Sequence, residues 1–414
     1  MKNSNYVIVN NNMITITFNR ALSILLLAGI LVTVGAIFSA NKAVGEEGGR
    51  KIVIWQTGLN EAAKDELLAK HGGVKLKNLS LVNGSAVWLP NKASEKALGR
   101  GAGVLRVEED VLMFALGKPS VLGRTPAPQP AQSLPWGVDR IDAELVWPSG
   151  NNADPIRVAI VDTGVSKDHP DLTANIKGGY NAINPTKSWN DDNGHGSHVA
   201  GTVAALNNSI GVVGVGPAVD LLAVKVLSRS GSGFLSDVIE GIQWAINNGA
   251  QVINLSLGSS SGSQAMHDAV AAAQNAGVVV VAAAGNSGGA VIYPAAYPEV
   301  IAVSATDSNN LLASFSSRGP EVDLAAPGVS VYSTYKGTGY ATLSGTSMAS
   351  PHVAGSAALV LNTPVGTYDL NANGKWDPSE VQQKLQDRAT DLGNSGLDNL
   401  YGWGLVNAYS ATQP

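Results

Sequence analysis

A serine with the setting of a nucleophile lies in a stretch of small residues in the last third of the chain. Ser347 follows Gly-Thr and precedes Met-Ala-Ser-Pro-His, and an apolar run from Val353 to Leu361 comes next. This pattern predicts a buried helix capped by Ser or Thr, with Pro351 in its first turns. A helix N-terminus favours the negative charge that an attacking alkoxide develops. Gly-Thr-Ser is also a common turn or cap, so a nucleophile requires a base and an orienting acid elsewhere.

Three other kinds of polar residue lie beside short apolar runs, where a base, an acid and an oxyanion donor are needed. Asp162 follows an apolar run directly, and such a residue either caps a turn or orients an imidazole. His195 and His198 are spaced i, i+3 at the head of a small-residue helix. A metal pair is one interpretation, but no third ligand accompanies them, and a general base is favoured. Asn286 follows another apolar run, where its carboxamide either marks a turn or donates to an oxyanion.

The elements that must position these residues alternate between strands and helices. Continuous β-branched runs separated by helical patterns predict an α/β fold, namely a doubly wound, mostly parallel sheet with helices on both faces. Active residues in such folds lie at the carboxyl ends of the strands. The predicted strands are 157–161, 221–226, 252–255, 278–283 and 300–303, and the predicted helices include 235–247 and 263–275.

A smaller unit precedes this sheet. Residues 49–116 have the pattern strand, helix, strand, strand, helix, strand, which is the split βαβ or ferredoxin-like α+β arrangement. The segment 117–131 is rich in proline and poor in apolar residues, so it is predicted to be a linker. The predicted elements of the small unit are 52–55, 61–71, 79–81, 86–89, 93–98 and 104–114.

Composition limits the class of protein. The 414 residues are 44% hydrophobic, include 47 glycines and carry a net charge of -5, which is typical of a globular protein and gives no signature of nucleic-acid binding. The absence of cysteine excludes disulfides and thiol chemistry. Lys2 and Arg20, followed by the uncharged segment 21–40, predict an export signal in residues 1–40, with an uncleaved membrane anchor as the alternative.

A calcium-loop pattern begins shortly after the serine helix. The twelve residues from Asp369 to Glu380 satisfy the EF-hand loop pattern, with oxygens at positions 1, 3, 5 and 9, glycine at 6 and glutamate at 12. A plain acidic loop is the alternative. Pro364 leaves the entering helix incomplete, and a second repeat is missing, which disfavours a cohesin-binding dockerin. The candidate ligands are Asp369, Asn371, Asn373, Lys375, Asp377 and Glu380.

The chain resembles the subtilisin-like serine proteases, the subtilases. The resemblance rests on Asp162-Thr163-Gly164, on the block 195–201, on Asn286 and on the block 345–352, with the aspartate, histidine and serine in the chain order of that family. Ser197, where threonine is commoner, is the departure from these blocks. The four segments together are far more specific than any one of them.

This resemblance implies a role for each catalytic candidate. His195 is expected to take the proton of Ser347 and to hand it to the leaving amine, while Asp162 fixes the tautomer of His195. Asn286 and the backbone N–H of Ser347 are expected to form the oxyanion hole. Structural positions are implied for His169, His198 and His352.

The resemblance also implies a substrate groove. Two edge segments flank an extended peptide and bind its backbone by strand addition, and glycines there let another chain approach closely. Ile292 falls where many relatives carry glycine or serine at the base of the P1 pocket, so a shallower pocket that disfavours large aromatic P1 residues is expected. The edge segments consist of Gly231, Ser232 and Gly233, and of Ser256, Leu257 and Gly258.

Two further features follow from the same resemblance. The unit 49–116 resembles the family's inhibitor-like propeptide, which assists folding and then occupies the cleft, and its alignment predicts self-cleavage between Leu116 and Gly117. A tight calcium site with oxygen ligands alone is also implied. Its residues are Gln132, Asp171, Leu206, Asn208, Ile210 and Val212.

The sequence therefore predicts a secreted, extracellular, calcium-dependent serine endopeptidase that is made as an autoprocessed precursor. Its catalytic domain is expected to span residues 132–414, with structural Ca²⁺ at one site or more. The expected partners are protein and peptide substrates and its own propeptide, as intramolecular chaperone and inhibitor. The mature enzyme is expected to be a monomer, associated with a membrane only if the N-terminal segment stays uncleaved.

Overall fold

The computed structural model describes residues 6–9, 12–15, 47–121 and 129–414. Strands β1 (Tyr6–Val9) and β2 (Asn12–Thr15) pair as an antiparallel hairpin. The predicted apolar segment 21–40 and residues 122–128 of the predicted linker lie outside the described residues. Among the described helices, none has the length and hydropathy that crossing a bilayer requires.

The N-terminal unit has the predicted order of elements. Its four-stranded antiparallel sheet has the order β4-β5-β3-β6. Alternate residues of β3 face opposite sides of this sheet: Val53 and Trp55 pack under the unit's own helices, and Ile52 and Ile54 face the rest of the chain. The elements are β3 (Glu47–Trp55), α1 (Glu61–Lys70), β4 (Val74–Leu79), β5 (Gly84–Asn91), α2 (Lys92–Leu98) and β6 (Val104–Glu109).

Two predicted strands of this unit were placed wrongly. The strand predicted at 79–81 is instead β4, and Ser80–Val82 forms a 3₁₀ turn. Strand β4 lies at the edge of the sheet and is largely exposed. Lysines alternate with apolar residues along it, as is common in edge strands. The single strand predicted at 104–114 is divided near Asp110, because β6 pairs within the unit while the following strand pairs with the C-terminal part of the chain.

The C-terminal unit is the predicted doubly wound α/β fold. Its central sheet has seven parallel strands in the order β10-β11-β9-β13-β15-β16-β17. The elements from the end of the N-terminal unit onward are β7 (Leu112–Ala115), β8 (Lys118–Val121), α3 (Trp136–Arg140), β9 (Arg157–Asp162), β10 (Ile176–Asn181), α4 (His195–Ala204), β11 (Asp220–Lys225), β12 (Ser232–Phe234), α5 (Leu235–Asn247), β13 (Val252–Leu255), β14 (Leu257–Gly258), α6 (Gln264–Asn275), β15 (Val279–Ala283), β16 (Val300–Thr306), β17 (Leu324–Pro327), β18 (Val331–Thr334), β19 (Tyr340–Ser344), α7 (Thr346–Leu361), α8 (Pro378–Asp387) and α9 (Ala408–Thr412).

The central sheet divides the core into two layers. On β9, Val158 and Ile160 belong to the layer that contains α4 and α7, whereas Ala159 and Val161 belong to the layer that contains α5 and α6. Ile52 and Ile54 of the N-terminal unit join this second layer, so that unit rests on α5 and α6. Helix α7 is buried along almost its whole length, as expected of a helix that is apolar or small on all sides.

Candidate active site

Asp162 and His195 meet at the carboxyl end of the sheet. Asp162 is the last residue of β9, and His195 is the first residue of α4. His195 Nδ1 lies 2.8 Å from Asp162 Oδ1 and 2.9 Å from Oδ2, and both side chains are buried. Burial alone would lower the pKa of His195, but the Asp162 carboxylate raises that pKa above its ordinary value. The pair is therefore suited to hold a proton on the imidazole.

Ser347 lies in the first turn of α7, and its hydroxyl is not hydrogen-bonded to the His195 imidazole. The helix begins earlier than the run 353–361 suggested, and Gly345 is its cap residue in place of the predicted Ser or Thr. The Ser347 hydroxyl donates to the Ser256 carbonyl at 2.9 Å, and no described residue bonds to His195 Nε2. The expected hydrogen bond between serine and histidine is thus absent, because the hydroxyl is satisfied by Ser256, which lies between β13 and β14, while Gly117 packs against Nε2.

The chain itself runs through this site. A Cβ placed on Gly117 would lie 2.9 Å from His195 Nε2, so the residue after Leu116 packs on that edge of the ring. The Asn286 carboxamide donates to the Leu116 carbonyl oxygen. A Cβ on Gly345 would lie 2.4 Å from the same oxygen, which explains why only glycine fits there. The peptide bond between Leu116 and Gly117 therefore lies between the imidazole and the carboxamide.

Asn286 is held in this orientation by a residue that the sequence analysis left without a role. Its Oδ1 accepts hydrogen bonds from the backbone N–H and the hydroxyl of Thr346, each at 2.9 Å. The Thr346 hydroxyl in turn accepts from the backbone N–H of Gly285 at 3.1 Å. These bonds fix which end of the amide faces Leu116. The only sequence signal for this role of Thr346 was its position directly before the candidate nucleophile.

Asp191 is a second positioning residue that sequence reasoning missed. Its Oδ1 accepts from the Thr163 hydroxyl and from the backbone N–H groups of the two residues before His195, all at 2.9 Å. Its Oδ2 accepts from the backbone N–H and hydroxyl of Ser197, at 3.0 and 2.6 Å. Asp191 thereby joins the end of β9 to the start of α4, and Ser197 supplies the hydroxyl that its threonine counterpart would. An aspartate just before a helix start is a recognisable cap signal.

Strand β7 occupies the predicted substrate groove. It pairs antiparallel with β12 on one side and with β14 on the other, as the middle strand of three. The Ala115 N–H donates to the Gly231 carbonyl at 2.9 Å, and the Leu116 N–H donates to the Ser256 carbonyl at 3.3 Å. The six predicted edge residues are thus those that flank an extended peptide here.

The reason for two of the edge glycines differs from the expectation. A Cβ on Gly233 would lie 2.1 Å from the Val226 carbonyl, and one on Gly258 would lie 2.7 Å from Ile292 Cδ1. Both glycines are therefore required by the chain's own packing, not by the approach of another chain. Ile292 is half-buried and also close to Gly285, where an added Cβ would lie 3.2 Å from its Cγ1.

The residues predicted to bind calcium tightly are gathered from three segments. Asp171 is fully buried, its hydrogen-bond partners among the described residues are neutral, and burial raises its pKa. Asn208 donates from Nδ2 to Asp171 at 2.9 Å and from its backbone N–H to Gln132 Oε1 at 2.5 Å. Within the described ranges, no hydrogen bond reaches the carbonyl oxygens of the other three predicted ligands, Leu206, Ile210 and Val212. An uncompensated buried carboxylate beside free carbonyl oxygens fits Ca²⁺.

The second predicted calcium loop has its acids turned to its own backbone. Asp369 accepts from the N–H groups of Asn373 and Gly374 at 2.9 Å, and Glu380 accepts from those of Leu370 and Asp377 at 2.9 Å. Helix α8 supplies the exit helix, but only the 3₁₀ turn Gly366–Tyr368 precedes the loop. In the described part of the chain no three His, Cys, Asp or Glu side chains are gathered to hold a metal.

Comparisons with known proteins agree with this site. The family model Peptidase_S8, described as the Subtilase family, matches residues 153–404. Subtilisin Savinase of Lederbergia lenta is 52% identical over 284 residues, which are 68% of this chain and 100% of that protein. Subtilisin amylosacchariticus of Bacillus subtilis subsp. amylosacchariticus is 42% identical over 361 residues, 86% of this chain and 87% of that protein. A thermostable alkaline protease of Halalkalibacterium halodurans is 51% identical over 284 residues, which are 68% of this chain and 74% of that protein. The chain therefore belongs to the subtilase family and is a serine endopeptidase.

Proposed function

We propose that this endopeptidase is secreted, depends on calcium, and is made as a precursor that cuts itself between Leu116 and Gly117. The observation that carries the proposal is the location of that peptide bond. Its carbonyl accepts a hydrogen bond from Asn286, and its leaving-group side packs on His195 Nε2. A bond held between an oxyanion donor and a base is positioned for cleavage.

In the proposed mechanism Ser347 Oγ attacks the Leu116 carbonyl carbon, and His195 Nε2 takes the hydroxyl proton. This step requires the hydroxyl to turn from the Ser256 carbonyl towards the ring, a rotation about one side-chain bond. The carbonyl electron pair moves to oxygen, where Asn286 Nδ2 and the Ser347 backbone N–H donate hydrogen bonds. The carbon–nitrogen bond then breaks as His195 returns the proton to the Gly117 nitrogen.

The acyl-enzyme formed in this way is hydrolysed by water through the same base. His195 takes a proton from the water, the hydroxide attacks the acyl carbon, and Ser347 leaves with the proton. Asp162 holds the Nδ1–H of His195 throughout and stabilises the charged imidazolium. Protein substrates in trans would occupy the place of β7 between β12 and β14, and they would be bound by the same backbone groups.

The pocket for the P1 side chain is proposed to be shallow. Ile292 lies against Gly258, which pairs with Phe114 in the groove, and against Gly285, which directly precedes Asn286. Its side chain fills space that a glycine or serine would leave empty, so phenylalanine and tyrosine at P1 should be cleaved poorly relative to leucine. Profiling of peptide substrates that differ only at P1 measures this preference, and efficient cleavage after phenylalanine or tyrosine would contradict it.

Calcium is proposed at both oxygen-rich loops. The first site would use the side chains of Gln132, Asp171 and Asn208 together with the three free carbonyl groups near them. Bound Ca²⁺ would compensate the buried charge of Asp171 and join the segment after the linker to the main sheet. The second site would use the loop from Asp369 to Glu380.

The proposed division of the precursor follows from these features. Residues 1–40 form the export signal, 49–116 the propeptide, 117–131 an extension that stays on the mature enzyme, and 132–414 the catalytic domain. The propeptide is proposed to act as chaperone and inhibitor, and the position of β7 in the groove supports the inhibitory role. The mature enzyme is proposed to be an extracellular monomer.

Mutation of the nucleophile tests the proposed function. Ser347→Ala should accumulate as an uncut precursor, whereas the wild-type chain should yield a product whose first residue is Gly117, as determined by N-terminal sequencing and intact mass. An active-site serine phosphonate should label only the wild-type product. Normal processing of the Ser347→Ala chain would show that another protease makes the cut.

A further inference from the structure

A lysine of the N-terminal unit enters an acidic notch on the catalytic domain. We define this acidic notch by the carboxylates of Asp237 and Glu240 and the backbone carbonyl of Ala182. Lys77, on edge strand β4, places its Nζ 2.6 Å from Asp237 Oδ1 and 2.5 Å from Glu240 Oε2, and it also donates to the Ala182 carbonyl. The side chains of Lys77, Asp237 and Glu240 are 15%, 5% and 20% exposed.

The acidic notch is built by the catalytic domain without help from the propeptide. Asp237 and Glu240 are spaced i, i+3 in the first turns of α5, so their side chains lie on one face of that helix. The Tyr180 hydroxyl donates to Glu240 Oε1 at 2.7 Å and fixes its orientation. The Phe234 backbone N–H donates to Asp237 Oδ2 at 3.4 Å. The two carboxylates therefore stay close together after the propeptide has gone.

The other polar contacts between the two units differ in kind. Glu108 accepts from the Ser263 hydroxyl at 2.6 Å, and Asp110 accepts from the Ser236 backbone N–H at 2.8 Å, so both carboxylates meet neutral donors at helix N-termini. Strand pairing by β7 uses backbone groups, which every sequence has. These contacts hold the propeptide without matching opposite charges.

Only one other ion pair among the described residues joins the two units. Arg106 bonds to Asp268, but the two side chains are 26% and 36% exposed, so water and salt screen this pair more strongly. Removing Lys77 from the acidic notch would leave two neighbouring carboxylates without the cation that bonds to both, although the charge of Arg50 still acts on Asp237. Separating such a largely buried charge from its partners is costly, and the cost appears mainly in the dissociation rate.

We propose that the acidic notch is a recognition site for a basic side chain on the edge strand of the propeptide, and that it sets how fast the cleaved propeptide leaves. The inference rests on the proposed self-cleavage, because it concerns the complex that remains after the cut. It implies that a propeptide without a basic residue at this position is a poor inhibitor of this enzyme. It also implies that release is faster at high salt.

The full-length chain with Lys77→Met tests this proposal. Two quantities are followed in parallel: cleavage at Leu116 by intact mass, and the lag before hydrolysis of a chromogenic peptide at low and high sodium chloride. We expect normal cleavage, and a lag at low salt that is shorter by roughly 30-fold or more, as for removal of one member of a buried charge pair. The lag of the wild type should shorten with salt, and that of Lys77→Met should shorten less, because only the exposed Arg106–Asp268 pair then remains between the two units.

Lys75→Met is the matched control. Lys75 lies on the same strand and carries the same charge, but it bonds to Glu61 and Asp65 within the propeptide. Its loss should leave both the lag and the salt dependence as in the wild type. A lag shortened as much by Lys75→Met as by Lys77→Met would overturn the proposal, because the effect would then be one of propeptide stability.

A variant on the other side of the interface keeps the proposal testable if Lys77→Met does not fold. Glu240→Gln, with an intact propeptide, should shorten the lag and weaken its salt dependence, and exchange of the two charges in Lys77→Glu with Glu240→Lys should lengthen the lag again. Normal cleavage with a wild-type lag in Glu240→Gln would overturn the proposed role of the acidic notch and leave the proposed self-cleavage standing. A wild-type chain that never cleaves itself would instead overturn the proposed function.

Discussion

The active-site cleft and the loop from Asp369 to Glu380 are both rich in oxygen ligands and hydrogen-bond acceptors, but they are built in opposite ways. The cleft brings Asp162, His195 and Asn286 together from three elements far apart in the chain, and it holds His195 and Asn286 with partners from another element. The loop takes its oxygens from twelve consecutive residues, and its acids accept hydrogen bonds from its own backbone and amide groups.

This difference predicts whether a substitution affects catalysis or local stability. A change in the cleft alters a geometry that the whole sheet maintains, so it should affect chemistry while the fold persists. A change in the loop alters a local structure that is largely exposed between residues 370 and 375, so it should affect local stability and leave chemistry intact. Substitutions of the same type made in both regions measure the contrast directly.

The largest effect is expected from Asn286→Ala. This substitution removes the donor to the Leu116 carbonyl while Thr346 and the sheet remain in place, and loss of one oxyanion donor in this family costs roughly 100 to 1,000 fold in rate. The single-turnover rate of self-cleavage at Leu116, followed by intact mass, measures it. Asn371→Ala, the same change in the loop, should cleave at the wild-type rate. Near wild-type cleavage by Asn286→Ala would remove that residue from the mechanism.

The next largest effect is expected from Asp171→Asn in the uncut Ser347→Ala precursor. In the uncut chain Gln132 contacts Asn208 while Leu116 is in the cleft, so the residues of the first proposed calcium site are already gathered there. The precursor should gain about 2.7 kcal/mol at a calcium concentration of roughly 100 times the dissociation constant. Asp171→Asn should lose most of that gain in thermal melts with calcium and with chelator. A precursor whose melting temperature does not change with calcium would contradict the prediction that the site forms before cleavage.

The contrast also explains what the sequence made predictable. The β-branched runs indicated the parallel sheet, because strands buried on both faces must be continuously apolar. Asp162, Asn286 and Ser347 could be chosen as candidates because strand ends and helix starts are where such a sheet exposes polar groups. The calcium-loop pattern from Asp369 to Glu380 was recognisable because all its positions are contiguous, and calcium binding there stays a prediction, since the acids are turned to the loop's own backbone.

The residues that sequence reasoning missed act through partners that are distant in the chain. Asp191 matters because the Thr163 hydroxyl and the start of α4 converge on it, and no local pattern reveals that convergence. Thr346 orients Asn286 across 60 residues. The hydrogen bond from the Ser347 hydroxyl to the Ser256 carbonyl joins residues 91 positions apart, so no local pattern reveals it either.

A pH effect is expected from Asp323, which connects the helix after the loop to the core. Its Oδ1 accepts from the amides of Gln382 and Gln386 on α8, each at 3.0 Å, and burial raises its pKa from 3.8 to about 6. Because the folded pKa lies above the unfolded one, this group stabilises the fold fully below about pH 4 and loses that contribution as pH rises through about 6.

The expected size of this loss is on the order of 2 kcal/mol between pH 4 and pH 7. Urea unfolding of the Ser347→Ala precursor across this range, with and without Asp323→Asn, isolates the contribution as the difference between the two curves. If the Ser347→Ala precursor and its Asp323→Asn derivative have parallel profiles, Asp323 does not titrate in this window.

The smallest effect is expected from the double variant Asp369→Ala and Glu380→Ala. Glu380 completes the capping box of α8, and Trp376 fastens the loop to the end of α7 by donating to the Thr363 carbonyl at 2.8 Å. Loss of a cap costs about 1 kcal/mol, so the unfolding temperature should fall by roughly 2–4 °C while the rate of self-cleavage stays unchanged. If the loop binds calcium, the fall should be larger with calcium than with chelator, yet smaller than that of Asp171→Asn. Slower self-cleavage in this variant would contradict the contrast between cleft and loop. It would mean that a contiguous, exposed loop controls the geometry of Ser347 through α7.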